Sequence, residues 1–348
     1  MSRKATIVVP ALNEEQSISA CLASIRSLTS AGPAFEIVLA DNGSTDRTVE
    51  IARGFGAHIV TNPNLTIGGL RNHGARAGSG DLIAFLDADC TVDPEWLSSA
   101  AACMATTGAH VVGSVHRIPD DAGWVAVAAS ELSASKAGVV NYIPSGNLVV
   151  SRECFERVGG FSDTIRTNED VDFCRRARQL GYLVFADPSI TAVHHGVPRS
   201  AKDFFRREMW HGRDSFRVFF DDLKLVANLW VVLYALVFAA TGVCGIAALV
   251  ACAVTGSFLP LALYGVLFVG LVAVVWLSRV RRHRRHQLQI LVHQLLYGSA
   301  RAASLTMAVA GLLGRHSLSR GSWRVASAPD TPAGGPKAGV VGDETKHA

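Results

Sequence analysis

The chain has 348 residues, a formal net charge of +4 and a hydrophobic content of 49%. This length suits one large α/β domain and an additional segment, because single hydrophobic cores stop growing near about 250–300 residues. So small a net charge does not indicate a nucleic-acid partner, and a basic block, RVRRHRRH, is concentrated at residues 279–286. The seven cysteines form no C-x-x-C pair and no zinc-finger spacing, which favours scattered buried thiols in a reducing compartment.

The first zone, residues 1–224, is predicted to be an α/β domain with a doubly wound parallel sheet. Short apolar runs alternate there with helical patterns; the runs are TIVVP, EIVLA, DLIAFLD, NLVVS and LVFAD. Such runs between helices are typical of buried parallel strands in βαβ units. Ligands of these sheets bind beyond the carboxyl ends of the strands, so the polar residues after each run are the first candidates for a site.

The most informative acids are Asp87 and Asp89, which come directly after the run LIAFL. In an extended segment, residues two positions apart point the same way, so these two carboxylates would repel each other unless a cation lay between them. A hard divalent cation that also binds phosphate oxygens would satisfy both. An Asp-rich turn after a strand is the alternative interpretation.

Another apolar run ends at Asp41 and continues into Asn-Gly-Ser-Thr-Asp. The Asp41 carboxylate is a candidate acceptor for a nucleobase edge, while Ser44 or Thr45 could cap the following helix. Further along, a glycine pair permits close approach of the backbone to a ligand, and Arg71 offers a guanidinium to phosphate. An arginine on a loop is more often only solvated.

The segment NEDVDFCRRARQLG has the spacing of a helix that stops at its glycine. Its acids, Glu169 and Asp170, either complement the helix dipole or supply a general base. His194 and His195 follow a further apolar segment, and a neutral imidazole there could complete a metal site. A histidine pair that fills the surface or the core is the alternative.

No charged residue occurs from Leu225 to Ser278. Because about 20 apolar residues cross a bilayer, residues 225–280 are predicted to form a transmembrane hairpin with helices near 229–254 and 259–278. The basic block then lies on the cytoplasmic side. The N-terminal stretch has acids directly after its few apolar residues, which predicts no signal peptide and a first domain on that same side. The expected location is the cell (inner) membrane, multi-pass, with a cytoplasmic catalytic domain.

Three other segments carry weaker signals. Residues 204–220 mix aromatic residues with arginines, which is typical of an interfacial helix or of a packed amphipathic one. Within residues 281–320, a basic loop precedes an apolar stretch at 288–314 that forms either an interfacial helix or a third span. Residues 321–348 are rich in Pro, Gly, Ala and Asp and predict a disordered tail.

Taken in order, the motifs resemble those of the family 2 glycosyltransferases. They are IVVPALNEE, ADNGSTD, GGLRNHGARAGSGDLIAFLDADC, IPSGNLVVSRECFERVGGF, NEDVDFCRRARQLGY and VHHG. The resemblance covers roughly residues 4–215. It implies a Rossmann-like GT-A nucleotide-binding domain, here followed by C-terminal transmembrane helices, and inverting sugar transfer from a nucleotide-diphosphate sugar, most often a UDP-sugar.

The resemblance also implies roles for individual residues. Asp170, beside Glu169, would be the catalytic base. Asp89, with Asp87 and His194, would bind a divalent metal, Mg²⁺ or Mn²⁺, and His195 is the second choice to His194. Arg71 would contact the donor near the phosphates, and Asp87 near the ribose or sugar. Gly146 and Asn147 would lie in a loop that binds the donor sugar and the acceptor. The other expected donor contacts, in and near the nucleoside pocket, are Pro10, Asn13, Glu14, Asp41, Gly43 and Ser44.

One departure bears on the acceptor. Processive members carry Q-x-x-R-W before their pore helices, whereas the comparable place here reads RREMW at 206–210. With only two clear spans, the chain is expected to move one sugar to a lipid-linked or membrane-bound glycan acceptor, with membrane lipid but no nucleic acid as a partner. A non-catalytic membrane scaffold or transport component of the same fold is the alternative. A nucleotidyltransferase would carry a Gly-rich loop followed by Arg or Lys where this chain has ALNEE.

Overall fold

The computed structural model describes residues 4–133, 136–212, 226–283 and 285–313. Residues up to Ala308 form one compact unit, and the second unit, Val309–Ala348, is described only as far as Leu313. The tail predicted at 321–348 therefore lies outside the described residues. So does the part of the predicted interfacial segment that follows residue 212.

Strands account for all five apolar runs of the first zone. The described residues contain ten strands: β1 Lys4–Ala11, β2 Ala34–Asp41, β3 His58–Thr61, β4 Leu82–Leu86, β5 Cys90–Val92, β6 Val111–Gly113, β7 Gly138–Val139, β8 Asn147–Ser151, β9 Val184–Ala186 and β10 Ala192–His194. Eight of them form one sheet in the order β3-β2-β1-β4-β8-β6-β9-β7, and β5 pairs with β10 in a second, two-stranded sheet. The α/β class predicted from the sequence is confirmed.

The prediction of a wholly parallel sheet is wrong at β8. Strands β1 to β4 are parallel, but β8 runs antiparallel to both of its neighbours, β4 and β6. The sequence misleads here because the side chains from Asn147 to Val150 are buried on both faces of the sheet. A strand buried on both faces forms a continuous apolar run in either direction, so the pattern does not report orientation.

Helices cover both faces of the large sheet. The described helices are α1 Ile18–Arg26, α2 Thr48–Gly54, α3 Ile67–Ala77, α4 Trp96–Thr107, α5 Trp124–Leu132, α6 Arg152–Val158, α7 Glu169–Gln179, α8 Ala201–His211, α9 Val226–Thr255, α10 Leu259–Val275 and α11 Gln287–Leu313. Alternate residues of β1 enter different cores: Ile7 and Val9 belong to the core beneath α1 and α4, and Val8 to the core beneath α3, α6 and α7. The carboxyl ends of β1, β2 and β4 thus share one edge.

Two C-terminal helices are long and apolar enough to cross a membrane. They are Val232–Thr255 within α9 and Leu259–Val280, which is α10 extended by a π-helical turn, Trp276–Val280. Gly256, with φ of +65°, lies between them, and Pro260 stands in the first turn of α10, where its missing N–H has no helical acceptor to lose. Both helices fall close to the positions predicted from the uncharged run.

Helix α11 is held against α8 by polar contacts. Arg301 Nη2 lies 2.8 Å from Oε2 of Glu208, and the Ser304 hydroxyl donates to the Met209 carbonyl at 3.2 Å. The Phe204 ring of α8 lies 4.4 Å from the ring of His293, centroid to centroid. The described part of the 204–220 segment is therefore helical and packs against α11, and its interfacial position stays a prediction.

Candidate active site

Two pairs of acids meet near the end of β4 and the start of α7. Asp87 follows β4 and Asp89 lies in the next turn, while Glu169 and Asp170 begin α7. The segment after β4 is not extended as the sequence suggested, because the N–H of Cys90 donates to the Asp87 carbonyl at 3.0 Å and closes a turn. The side chains of Asp87 and Asp89 remain 30% and 29% exposed, so neither points into the packed core.

Arg71 joins the two acidic pairs. Its Nη2 is 2.6 Å from Oδ1 of Asp87, its Nη1 is 2.7 Å from Oε1 of Glu169, and its side chain is only 3% exposed. Arg71 does not lie on a loop, because the Thr66 hydroxyl caps α3 and Arg71 lies inside that helix, on its buried face. Its approach to the donor phosphates stays a prediction. Burial alone would lower the pKa of Arg71, but the two carboxylates outweigh burial and raise it.

Each acidic pair therefore has one carboxylate bound to Arg71 and one that is not. Burial alone would raise the pKa of Asp87, yet attraction to Arg71 outweighs it and the pKa is lowered. Burial and then the charge of Asp87 raise the pKa of Asp89. Burial and then the charge of Glu169 raise the pKa of Asp170 to about 7. Asp89 and Asp170 are the acids that a cation or a proton would stabilise most.

Backbone amides orient the carboxylate of Asp170. Its Oδ2 accepts from the N–H of Ser145 at 3.3 Å, and its Oδ1 accepts from that of Val171 at 2.8 Å. The hydroxyl of Ser145 donates to Oε1 of Glu169 at 3.0 Å. Asn168 turns the chain into α7 with a left-handed φ of +65°. The loop that carries Ser145 thus touches both acids of this pair.

His194 lies beside Asp89 because β10 pairs with β5. The Cα partner of His194 in that small sheet is Cys90, and His194 Nε2 is 3.4 Å from Oδ2 of Asp89. Burial, above all, lowers the pKa of His194 to about 4, so its imidazole is neutral near pH 7. His195, the second choice as a ligand, instead contacts Thr91 Oγ1 through its Nε2 at 2.9 Å.

The side chains around Asp89 fit a divalent cation. Ligand atoms of Asp89, Cys90 and His194 all lie within 4.8 Å of one another. Cys90 is the weakest candidate, because burial strongly raises the pKa of its thiol and only the thiolate is a good ligand. Gly196 leaves space at the site, since a Cβ there would collide with Oδ2 of Asp89. Carboxylate and neutral imidazole remain as the natural donor set.

Sequence reasoning missed His116 as a site residue. Its ring centroid is 5.3 Å from that of His194, and burial, followed by the charge of His194, lowers its pKa. Within the part of the chain that the structure describes, its buried Nε2 has no hydrogen-bond partner. The signal was available, because His116 closely follows the apolar strand β6 and so lies at a strand end.

Arg207 was also missed. Its Nη1 donates to the carbonyl of Gly196 at 2.8 Å, and its positive charge opposes the rise in the pKa of Asp89. Arg207 lies on α8, far along the chain from the acids, and only the packing of α8 brings it to them. No local pattern distinguishes it from its exposed neighbour Arg206.

Residues expected in the nucleoside pocket tie the loops after β1 and β2 together. The N–H of Asn13 donates to the Ser44 hydroxyl at 2.9 Å, and its Oδ1 accepts from the N–H of Thr45 at 2.8 Å. Ser44 and Thr45 do not cap α2, contrary to expectation. Oδ1 of Asp46 instead accepts from the N–H of Thr48 at 3.0 Å. The two loops therefore form one preorganised surface beyond the sheet edge.

Four further predicted residues shape this surface from within or beside it. Asp41 is buried, and its carboxylate accepts from the N–H groups of Gly43 and Ser44 at 3.1 Å each, so it holds its own loop. Gly43 adopts a left-handed φ of +90°, and Pro10 is buried inside β1. Burial, together with the acids at the end of β4, raises the pKa of Glu14.

Gly146 and Asn147, predicted as neighbours in one ligand loop, differ in the structure. Gly146 lies against the carboxylate of Asp87, where any Cβ would collide with it. Asn147 is fully buried; its Oδ1 accepts from Trp96 Nε1 at 2.7 Å, and its Nδ2 donates to the Ser114 carbonyl at 3.1 Å. Asn147 therefore supports the loop through the core, and only Gly146 faces the acids.

Comparisons with known proteins identify similar sequences and a similar fold. Residues 6–158 match the glycosyl transferase family 2. Glycosyltransferase AglE of Haloferax volcanii is 28% identical over 207 residues, which are 56% of this chain and 67% of AglE. The pre-mycofactocin glycosyltransferase of Mycobacterium tuberculosis is 28% identical over 226 residues, which span 60% of this chain but only 46% of that relative.

A solved structure shares the fold over most of the chain. It is the mannosyltransferase PcManGT of Pyrobaculum calidifontis in complex with GDP-Man and Mn²⁺. The TM-score is 0.60 at 20% sequence identity, and the match covers 88% of both chains. At this identity the likeness establishes the architecture alone.

Proposed function

Because the chain belongs to glycosyltransferase family 2, we propose that it moves one sugar, with inversion, from a nucleotide-diphosphate sugar to a membrane-bound acceptor. One observation carries this proposal. Arg71 forms ion pairs with Asp87 and Glu169 but with neither Asp89 nor Asp170. One acid is then available to a cation on the donor side and the other to the proton of an acceptor hydroxyl.

The donor is proposed to bind over the joined loops beyond β1 and β2. Backbone groups held by Asn13, Asp41 and Ser44 would face the nucleoside, and the sugar would lie close to Asp87, whose carboxylate packs against Gly146. A UDP-sugar is the first donor to test, as the resemblance implied. GDP-mannose is the second, because the structural neighbour binds it.

Asp89 and His194 would hold a divalent cation. The imidazole favours Mn²⁺ over Mg²⁺, which prefers an all-oxygen shell. When bound, such an ion neutralises charge that builds up on a diphosphate leaving group. Arg207 would supply a second positive charge near Asp89 to attract the diphosphate. Arg71 is less available for this, because it is buried in ion pairs with Asp87 and Glu169.

Asp170 is proposed as the general base. Its two oxygens are oriented by amide N–H groups, and its pKa of about 7 suits a group that must be ionised at rest and accept a proton during the reaction. Attack by the deprotonating hydroxyl on the face of the sugar opposite the diphosphate would invert the anomeric centre. No covalent intermediate on the protein is required.

The thermal unfolding of the full chain in detergent tests donor and metal binding together. UDP-glucose, UDP-GlcNAc and GDP-mannose are each added with and without Mn²⁺. At least one is expected to raise the unfolding midpoint only when Mn²⁺ is present, because a ligand at about 100 times its Kd stabilises the folded state by about 2.7 kcal/mol. Binding of Mn²⁺ is measured separately by electron paramagnetic resonance.

Asp89→Ala and Asp120→Ala form a matched pair for this experiment. Asp120 is an exposed loop acid, so its replacement removes the same charge away from the site. Asp89→Ala should lose Mn²⁺ binding and sugar transfer, while Asp120→Ala keeps both. If no nucleotide sugar stabilised the wild-type protein in Mn²⁺, the enzyme proposal would fail and the scaffold alternative would gain support.

A further inference from the structure

A cavity of about 600 Å³ lies next to the loop that orients Asp170. Its wall includes Val139, Val140, Tyr142, Ile143 and Pro144, and the whole segment from residue 136 to residue 144 contributes to it. Of the described residues that line it, Lys136 alone is charged. A volume of this size and a largely apolar wall with a few polar groups are typical of small-molecule sites.

The segment that lines this cavity is followed in the chain by a residue that bonds both acids at the start of α7. Pro144 is followed by Ser145, whose N–H bonds Asp170 and whose hydroxyl bonds Glu169. The carbonyl of Asn141 accepts from Nε of Arg178 at 3.1 Å, which fixes the wall to the helix that carries both acids. A ligand in the cavity would therefore lie within one loop of the proposed base.

The opposite end of the segment leads to the membrane helices. Ala128 of α5 is buried in a cluster with Phe238 of α9 and Val275 of α10, and Leu132 packs against the same cluster. Helix α5 ends at Leu132, just before the residues that line the cavity. Helix α5 therefore lies between the cavity and helices α9 and α10. An apolar molecule that approached from the lipid beside α9 and α10 would contact α5 first and the cavity next.

The lining is also unusually exposed for apolar side chains. Val139 is 68% exposed, and Tyr142 is exposed as well. Apolar surface open to water beside a site is favourable only once a ligand covers it, at roughly 25 cal/mol for each Å² removed from water. A free polar sugar would gain little from such a wall, whereas an alkyl or polyprenyl body would gain much.

We propose that this cavity is the acceptor subsite and that it takes the apolar body of an amphiphilic alcohol whose hydroxyl reaches Asp170. This inference rests on the proposed function, because Asp170 must be the base for the hydroxyl to react there. The bond that forms joins the alcohol oxygen to the anomeric carbon, the bond from that carbon to the diphosphate breaks, and the alcohol proton passes to Asp170. The acceptor is thereby an alcohol carried on a lipid-like chain.

Photolabelling tests the subsite without any need for turnover. The probe is a twelve-carbon alcohol with a diazirine in its chain, added to the full protein in detergent micelles. Cleavage after Lys136 and Arg152 releases the peptide Ala137–Arg152, which contains most of the cavity wall. The probe is expected to label this peptide in the wild-type protein, and excess unlabelled dodecanol is expected to compete.

Val139→Asp and Leu180→Asp are the matched variants. Both replace an exposed apolar side chain, 68% and 53% exposed, with a carboxylate, but Leu180 does not line the cavity. Val139→Asp should reduce labelling of the peptide about tenfold, since a charge in an apolar site costs at least the 1.4 kcal/mol that this factor represents. Leu180→Asp should leave it unchanged. Equal labelling in all three proteins, or none in the wild type, would overturn the proposal.

Donor measurements separate this result from the proposed function. Stabilisation by nucleotide sugar and Mn²⁺ should be the same in Val139→Asp and in the wild type, because the variant does not touch the donor acids. If nucleotide response were missing in both while labelling remained specific, the enzyme proposal would fail and the apolar site would stand alone. If nucleotide response remained and labelling were non-specific, only the acceptor subsite would be lost.

Discussion

The end of β4 and the start of α7 each present two acids, and one arginine forms an ion pair with one acid at each place. Arg71 binds Asp87 in one pair and Glu169 in the other, with N–O distances of 2.6 and 2.7 Å. The two remaining acids differ in what surrounds them. Asp89 has the imidazole of His194 at 3.4 Å, whereas Asp170 has two backbone N–H groups. Under the proposed function, Asp89 is then available to a cation and Asp170 to a proton.

Removing Arg71 should have the largest effect, because it breaks both halves of this comparison at once. Arg71→Gln leaves the buried Glu169 and the partly exposed Asp87 without their partner, and loss of one member of a buried ion pair typically costs about 3–5 kcal/mol. Chemical denaturation should show a loss of stability in that range, together with loss of transfer. Arg71→Lys keeps the charge but has no planar fork, so it should recover only part of the stability. A stable, active Arg71→Gln protein would contradict the central role of this residue.

Changing Asp170 should separate catalysis from binding. Asp170→Asn is expected to slow transfer by about 10²–10⁴-fold, the usual contribution of a general base, while Mn²⁺ and donor binding remain. The wild-type rate should rise with pH through about 7, because the base must first lose its proton. Single-turnover rates from pH 5.5 to 8.5 measure both. A rate profile that is unchanged in the variant would exclude Asp170 as the base.

The same variant should gain stability at high pH. The pKa of Asp170 is raised in the folded protein, so the folded state binds the extra proton between the ordinary carboxyl pKa of about 4 and about 7. The contribution of Asp170 to the free energy of unfolding is therefore lost as pH rises through that window. Above about pH 7, the ionised carboxylate destabilises the folded state. Asp170→Asn should unfold at a higher temperature than the wild type at pH 8 and show little difference at pH 4.5. Glu169→Gln is the control, since it weakens the Arg71 pair and should lower the midpoint instead.

Much of this arrangement was visible in the sequence because it is local. The strand-end acids, the helix that begins with Glu169 and the five apolar runs all follow from short patterns. What the sequence could not provide were contacts between distant segments. Arg71 was expected at phosphate, yet its helix packs with the arginine inward, towards acids that lie 16 and 98 positions away.

The orientation of β8 and the roles of His116 and Arg207 were hidden for the same reason. A strand buried on both faces carries no directional signal, and a histidine or arginine becomes a site residue only through packing. Asn147 shows the converse case. Its neighbour Gly146 does face Asp87, but the Asn147 side chain is used entirely within the core by Trp96 and Ser114.

The smallest expected effect comes from replacing Arg207, which lies near Asp89, the proposed cation ligand. Arg207 and Arg206 are adjacent on α8. Arg207 donates to the Gly196 carbonyl and its charge acts on Asp89, whereas Arg206 is exposed. Arg207→Gln should weaken binding of the nucleotide sugar about tenfold in the presence of Mn²⁺, as expected for loss of one charge contact worth about 1.4 kcal/mol. Arg206→Gln removes the same charge from the same helix and should change the Kd little.

Calorimetric titration of both variants at 50 and 300 mM salt distinguishes a direct contact from the general field of the helix. A contact near the diphosphate persists when the Debye length falls, while the influence of an exposed charge is screened away. The difference between the two variants should therefore survive at high salt. Equal losses of nucleotide-sugar affinity in Arg206→Gln and Arg207→Gln would mean that α8 attracts the donor only through its overall charge. The cation proposed at Asp89 would then neutralise the diphosphate without a partner arginine.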